Sequence, residues 1–248
     1  DPSAEPTPSA PQLPQDSVAR VVTTDLRVRS KPEVSDSSVK LEPLLDAPRL
    51  LFVMDGPVEA SGYTWYEVAP IGDAATTVEL PIGWVAAADK DGTPWIQRVT
   101  PDCPARPSSV EALRNVDAVL ALACFGETPI TFRARLAQPE ATCGIDIGWT
   151  IRPEWLGSTC PQPRFLVESA TEVGLSFDSI IDPALDVSAW KPGVEPDDWT
   201  AVRITGRFDH PAASTCRGVS NGERVPYSPD RIVLTCRATF VITKIAAA

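Results

Sequence analysis

At 248 residues, with 43% of them hydrophobic, the chain is long enough for one large or two ordinary domains with real cores. Its 26 prolines argue against long helices, and a formal net charge of −11 disfavours nucleic acid and anionic membranes, since both reward Lys and Arg. No apolar run approaches the roughly 20 residues that span a bilayer; the longest is AVLALACF, Ala118–Phe125, so no integral membrane segment is expected.

The chain opens on DPSAEPTPSAPQLPQ, with five prolines among small and polar residues. Such a composition cannot bury a core and predicts an extended, disordered tether over residues 1–17. The start at Asp1, without Met or an apolar leader, fits an exported chain whose secretory or lipoprotein leader has been removed.

Residues 18–97 read as short strands between turns. SVARVVTT (Ser17–Thr24), LRVRS (Leu26–Ser30), RLLFVM (Arg49–Met54), TWYEVA (Thr64–Ala69) and IGWVAA (Ile82–Ala87) have strand composition. KPEVSDSS, DGPVEASG and IGDAATTVELP between them are rich in turn formers. Five short strands without helical periodicity predict a small barrel. DKDG (Asp89–Gly92) resembles the start of a calcium loop, but position twelve of such a loop is Thr100 rather than an acid, so a polar turn is expected there.

These residues carry a resemblance. LRVRSKP (Leu26–Pro32), GYTWYEV (Gly62–Val68) and GWVAA (Gly83–Ala87) resemble, in order and spacing, the opening, central and closing strands of bacterial SH3-like (SH3b) domains. The insertion APIGDAATTVELP before the closing strand departs from that pattern and could cover part of a groove. The resemblance implies an extracytoplasmic, noncatalytic targeting module that contacts cell-wall peptide or peptidoglycan, or another envelope protein. Tyr63, Trp65, Tyr66 and Trp84 are its candidate ligand-binding residues. Alternation puts Trp65 and Tyr66 on opposite faces of one strand, so that one of them points outward. Trp84 fits core filling as well as a groove.

Residues 98–120 read as a connector. Ser108 and Glu111 have capping-box spacing, which predicts a short helix over Ser109–Val116. Residues 121–248 then offer PITFRARL (Pro129–Leu136), RFLVES (Arg164–Ser169), WTAVRITGRF (Trp199–Phe208) and RIVLTCRATFVITKI (Arg231–Ile245) as strands. The expected fold class is thus all-β: an SH3-like barrel at 18–97, then a disulfide-stabilised β domain, OB-like in the five-strand reading. The six cysteines, Cys103, Cys124, Cys143, Cys160, Cys216 and Cys236, are even in number and lack C-x-x-C spacing. They predict disulfides in an oxidising compartment rather than a metal site. Fifteen pairings are possible; neighbours in sequence (Cys103–Cys124, Cys143–Cys160, Cys216–Cys236) are the expected ones. The expected location is secreted, or lipid-anchored on the outer face of a bacterial envelope.

Charge is uneven here. Glu168–Asp198 holds eight acids and one base, whereas Trp199 onward holds seven bases and three acids. Arg203, Arg207, Arg217 and Arg237 could form an anion-binding face or could neutralise the acidic stretch. Catalysis is not expected. His210, the only histidine, has Asp209, Ser214 and Thr215 near it in sequence alone, and no G-x-S-x-G, H-E-x-x-H or phosphate loop is present. The pairs Asp182/Asp186 and Asp197/Asp198 leave a carboxylate-based cell-wall hydrolase as a lesser alternative. No cofactor and no metal are expected.

Overall fold

The computed structural model describes residues 12–72, 80–137, 166–171, 176–177, 179–182, 184–186, 200–211, 213 and 229–248. It is mostly β with a few short helices. The chain divides into two compact units, Asp1–Cys103 and Pro104–Ala248. Most of the expected tether, the tip of the insertion, and Cys143, Cys160, Cys216 and Arg217 lie outside the described residues. Cys103, Cys124 and Cys236 are each disulfide-bonded.

The first unit is a seven-stranded sheet of β1 (Val18–Val21), β2 (Leu26–Arg29), β3 (Lys40–Leu45), β4 (Leu50–Ala60), β5 (Tyr63–Pro70), β6 (Gly83–Ala86) and β7 (Ile96–Val99). All neighbours are antiparallel, in the order β3-β2-β6-β5-β4-β1-β7. Every strand sends side chains into one cluster: Ala19 and Val21, Leu26 and Val28, Leu45, Leu51 and Val53, Tyr66 and Val68, Val85, and Ile96. A sheet whose strands all feed one core from one face has to curl round it. The five expected strands are present, and β3 and β7, which the sequence did not announce, form the two edges. Residues 55–60, expected as a turn, instead continue β4 through two register shifts. Residues 12–17, expected as the end of the tether, pack on this unit: Leu13 is buried in the cluster and the Asp16 amide donates to the Val53 carbonyl at 2.8 Å.

The second unit begins with two short helices. Helix α1 (Val110–Arg114) is capped by Ser109, whose hydroxyl accepts from the Ala112 amide; the cap lies one residue beyond the expected Ser108. Helix α2 (Ala118–Phe125) takes the whole apolar run, capped by the Asp117 carboxylate and ended by Gly126. The strands β8 (Ile130–Ala137), β9 (Leu166–Ser169), β10 (Ser176–Phe177), β11 (Ser179–Ile181), β12 (Thr200–Arg207) and β13 (Phe240–Ala247) form one six-stranded sheet. Its order is β10-β9-β8-β12-β13-β11, antiparallel except for β11 beside β13.

The expected strand Arg231–Ile245 requires correction, because its first part is helix α3 (Pro229–Arg237). Ile, Val and Thr argue for a strand there, yet Ile232 and Cys236, four residues apart, pack with Ala213 as one buried cluster. Proline opens the helix and Arg237 occupies its last turn, where a cation meets the negative end of the dipole.

Gly83, the glycine of GWV, shows how tightly β6 is held. A Cβ there would lie 2.5 Å from the Arg29 carbonyl oxygen on β2, and Arg29–Trp84 is the single paired position between those strands. Gly83→Ala therefore forces β2 and β6 apart. Its expected effect is a loss of about 1–3 kcal/mol, read as a lower urea midpoint for the first unit by tryptophan fluorescence.

Candidate functional site

Strand β5 carries the aromatic motif between two partners. Trp65 stands opposite Val58 on β4 and Ala86 on β6, and Glu67 stands opposite Trp84. Alternation holds as expected: Tyr66 and Val68 point into the core, while Tyr63, Trp65 and Glu67 share the other face. That other face is not open. Trp65 retains 3% exposure and Glu67 8%, and Tyr66 on the core side retains 1%. The Trp65 indole donates to the Ala60 carbonyl at 2.9 Å, and the Tyr66 hydroxyl accepts from the Leu13 amide at 3.2 Å.

Trp65 and Tyr66 are therefore structural residues. Two of the four sequence candidates, Tyr63 and Trp84, keep solvent contact as half-buried side chains. The residue opposite Trp65 on β6, Ala86, is small.

Tyr63 sits at the centre of a cluster. Its ring stacks on Trp95 with centroids 6.1 Å apart and planes at 29°, and it meets Trp65 edge-on at 5.9 Å. The Lys90 ammonium lies 5.6 Å from its centroid, at cation–π distance. Trp95 was not among the sequence candidates. Its signal was the TPW that follows DKDG, a turn that returns the chain beside β6. The Asp89 carboxylate accepts from the amides of Asp91 and Thr93, Gly92 takes a φ of +86°, and Ala88 bridges Pro94. Trp95 is then tied in twice through its backbone, donating to Ala87 and accepting from Val22.

The loop between β2 and β3 reaches the same end of β5. The Val34 amide donates to the Ser61 hydroxyl at 3.0 Å, beside the turn that precedes Tyr63. Val34 and Val39 are two of the three large hydrophobic side chains that stand exposed among the described residues. The loop is internally braced: Ser35 and Ser37 donate to Glu33 at 2.7 Å each, and the Arg29 guanidinium donates to the Ser38 carbonyl. Those hydrogen bonds, Ser35 first, hold the Glu33 carboxyl below its ordinary pKa, with a smaller pull from Lys31.

In the second unit the expected arginine face separates. Arg237 makes a two-pronged contact with Asp209 at 2.8 and 3.0 Å, and the Asp209 amide returns a bond to the Arg237 carbonyl. Arg207 pairs with Glu127 at 3.0 Å and donates to the carbonyls of Phe208 and Asp209. These two arginines hold structure together. Arg203 is exposed on β12, and Arg217 lies outside the described residues. His210 meets Asp182, one of the sequence's acid candidates, at 3.3 Å. Asp186 is exposed, and Asp197, Asp198, Ser214 and Thr215 lie outside the described residues. No group of three or more His, Cys, Asp or Glu among the described residues is arranged to hold a metal. No protein-family model, curated protein or solved structure matches this chain.

Two expectations follow. Tyr66→Ala should cost about 3–5 kcal/mol of first-unit stability, while Tyr66→Phe, which removes the hydroxyl that accepts from Leu13, should cost about 1 kcal/mol. In the second unit Asp209→Ala removes the carboxylate that takes the Arg237 guanidinium in two prongs and should cost about 1–3 kcal/mol. Urea unfolding of each variant, followed by circular dichroism, measures both.

Proposed function

We propose that this chain is an exported, noncatalytic binding protein whose first unit is an SH3b-like barrel contacting cell-wall peptide or peptidoglycan. In favour of the barrel, the segments LRVRS, GYTWYEV and GWV lie side by side as β2, β5 and β6 in one antiparallel sheet round one core. In favour of export, Cys103, Cys124 and Cys236 are disulfide-bonded, a state that persists in oxidising compartments. The observation that carries the binding reading is the half-buried Tyr63 ring, stacked on Trp95 and overlain by Lys90.

An aromatic face beside an ammonium suits a sugar or peptide that bears a carboxylate: the ring takes apolar C–H surface and the cation takes the charge. Trp84, two positions further along the same face of β6 from Ala86, and the exposed Val34 give the surface apolar borders. The binding residues of this reading are thus Tyr63, Trp84, Trp95 and Lys90, with Trp65 and Tyr66 as the scaffold beneath them. The contact of His210 with Asp182 is the observation that favours the lesser, hydrolytic reading, and it supplies an oriented base without a described nucleophile.

The test is co-sedimentation of the full chain with purified peptidoglycan. Tyr63→Ala should weaken binding roughly tenfold, about 1.4 kcal/mol, with Lys90→Ala weakening it less, and unfolding curves run in parallel should show both variants folded. A wild-type chain that stays in the supernatant, or a folded Tyr63→Ala protein that binds as well as wild type, sinks the reading.

A further inference from the structure

The open face of the second sheet carries a cation cluster that sequence position does not reveal. Register places Arg133 on β8 directly opposite Arg203 on β12, and Lys244 on β13 opposite Thr205, the next outward position along β12. All three cations are exposed, and none has an ion pair among the described residues. Arg207, which flanks the cluster, differs: it is taken by Glu127. Like charges directly opposite one another in a sheet are destabilising, so the Arg133–Arg203 pair is carried at a cost in the free protein. We infer that this face docks an extended acidic peptide segment of a partner, with carboxylates at alternate positions.

The geometry selects that occupant. Outward positions two residues apart along a strand repeat at roughly 6.8 Å, which is also the spacing of alternate side chains in an extended peptide. One carboxylate meets the Arg133–Arg203 pair, whose planar forks take it in two-pronged fashion; Lys244 lies one strand over and two residues along from Arg203, a diagonal of roughly 8 Å, and its long side chain reaches the next. The surrounding outward residues are low: Ala201, Ala246, and the Thr131–Thr205 hydroxyl pair at 2.9 Å. They form a shallow floor with the cations standing above it. No aromatic lies among the outward residues of β8 and β12, so the face lacks the stacking platforms that single-stranded nucleic acid uses. The chain's charge of −11 repels a long polyanion, whereas a short segment inside one screening length responds to the local cations.

The experiment uses the full chain and a fluorescent peptide with Glu at alternate positions, read by anisotropy at low and physiological salt. Binding should weaken as salt rises and should fall roughly tenfold or more in the R133Q/R203Q variant. The single variant R203Q should bind more weakly yet unfold at the same or a higher temperature, because it removes a like-charge pair. That opposite movement separates a ligand site from a structural role. Absence of binding at low salt, equal binding by a folded R133Q/R203Q protein, equal binding of a peptide with its glutamates in one block, or tighter binding of oligothymidylate would each overturn the inference.

Discussion

Antiparallel sheets commonly bury one face and wet the other, so their strands alternate between apolar and polar residues. Strand β5 is different: from Trp65 to Ala69 it is buried on both faces, in the middle of a sheet whose other face closes on a single core. The rest of the first unit depends on that double burial. Tyr66 can fill the core because Leu13, from beyond the N-terminal end of the sheet, reaches its hydroxyl. Trp65 can lie on the opposite face because β4 bends at Gly56, whose φ of +114° and close approach to the Trp65 carbonyl leave no space for a side chain. The bend brings the Ala60 carbonyl to the indole N–H, so the buried donor is satisfied. On the aromatic face Tyr63, just before that stretch, and Trp84, across from Glu67, stay half-buried.

The interior of both sheets was legible in the sequence for the reason that makes it interior. Strands with two neighbours and a dry face, such as β4, β5, β8 and β12, carry dense or alternating apolar residues, and that is the signal periodicity detects. Edges lack it. Strand β3 holds Pro43 and has mostly exposed or half-buried side chains; β7 has two exposed residues of four; β10 and β11 have two and three residues. A strand with one partner tolerates proline and needs little apolar surface, so its sequence resembles the turns beside it. Helix α3 escaped for the opposite reason. Its Ile, Val and Thr have strong strand preference, and packing of Ile232 and Cys236 on Ala213 overrode it.

The candidate sites divide along the same line. Motif residues were easy to name, but a motif marks where side chains are needed and says nothing about whether they are needed inside or outside. Trp65 and Tyr66 proved to be scaffold. Trp95 lies outside the three motif segments and joined the site through the Asp89–Gly92 turn, a contact no spacing rule predicts. Among the cations, the basic composition of the final segment grouped Arg203 with Arg207, Arg217 and Arg237. Register instead groups Arg203 with Arg133 and Lys244, from strands far apart in the chain.

That regrouping changes what the charges mean. Arg207 is paired with Glu127 and Arg237 with Asp209, and the Asp209 amide returning to Arg237 makes the second contact reciprocal. A matched, partly buried pair loses stability when either member is removed, because the survivor keeps its desolvation cost. Arg133 and Arg203 are matched with each other, like with like, on a solvated face where either could be replaced without leaving a buried charge behind. Stability alone gives no reason to keep two arginines in register there. The same two positions could have carried threonines with no like-charge pair, and a docked anion is the physical circumstance that reverses the balance.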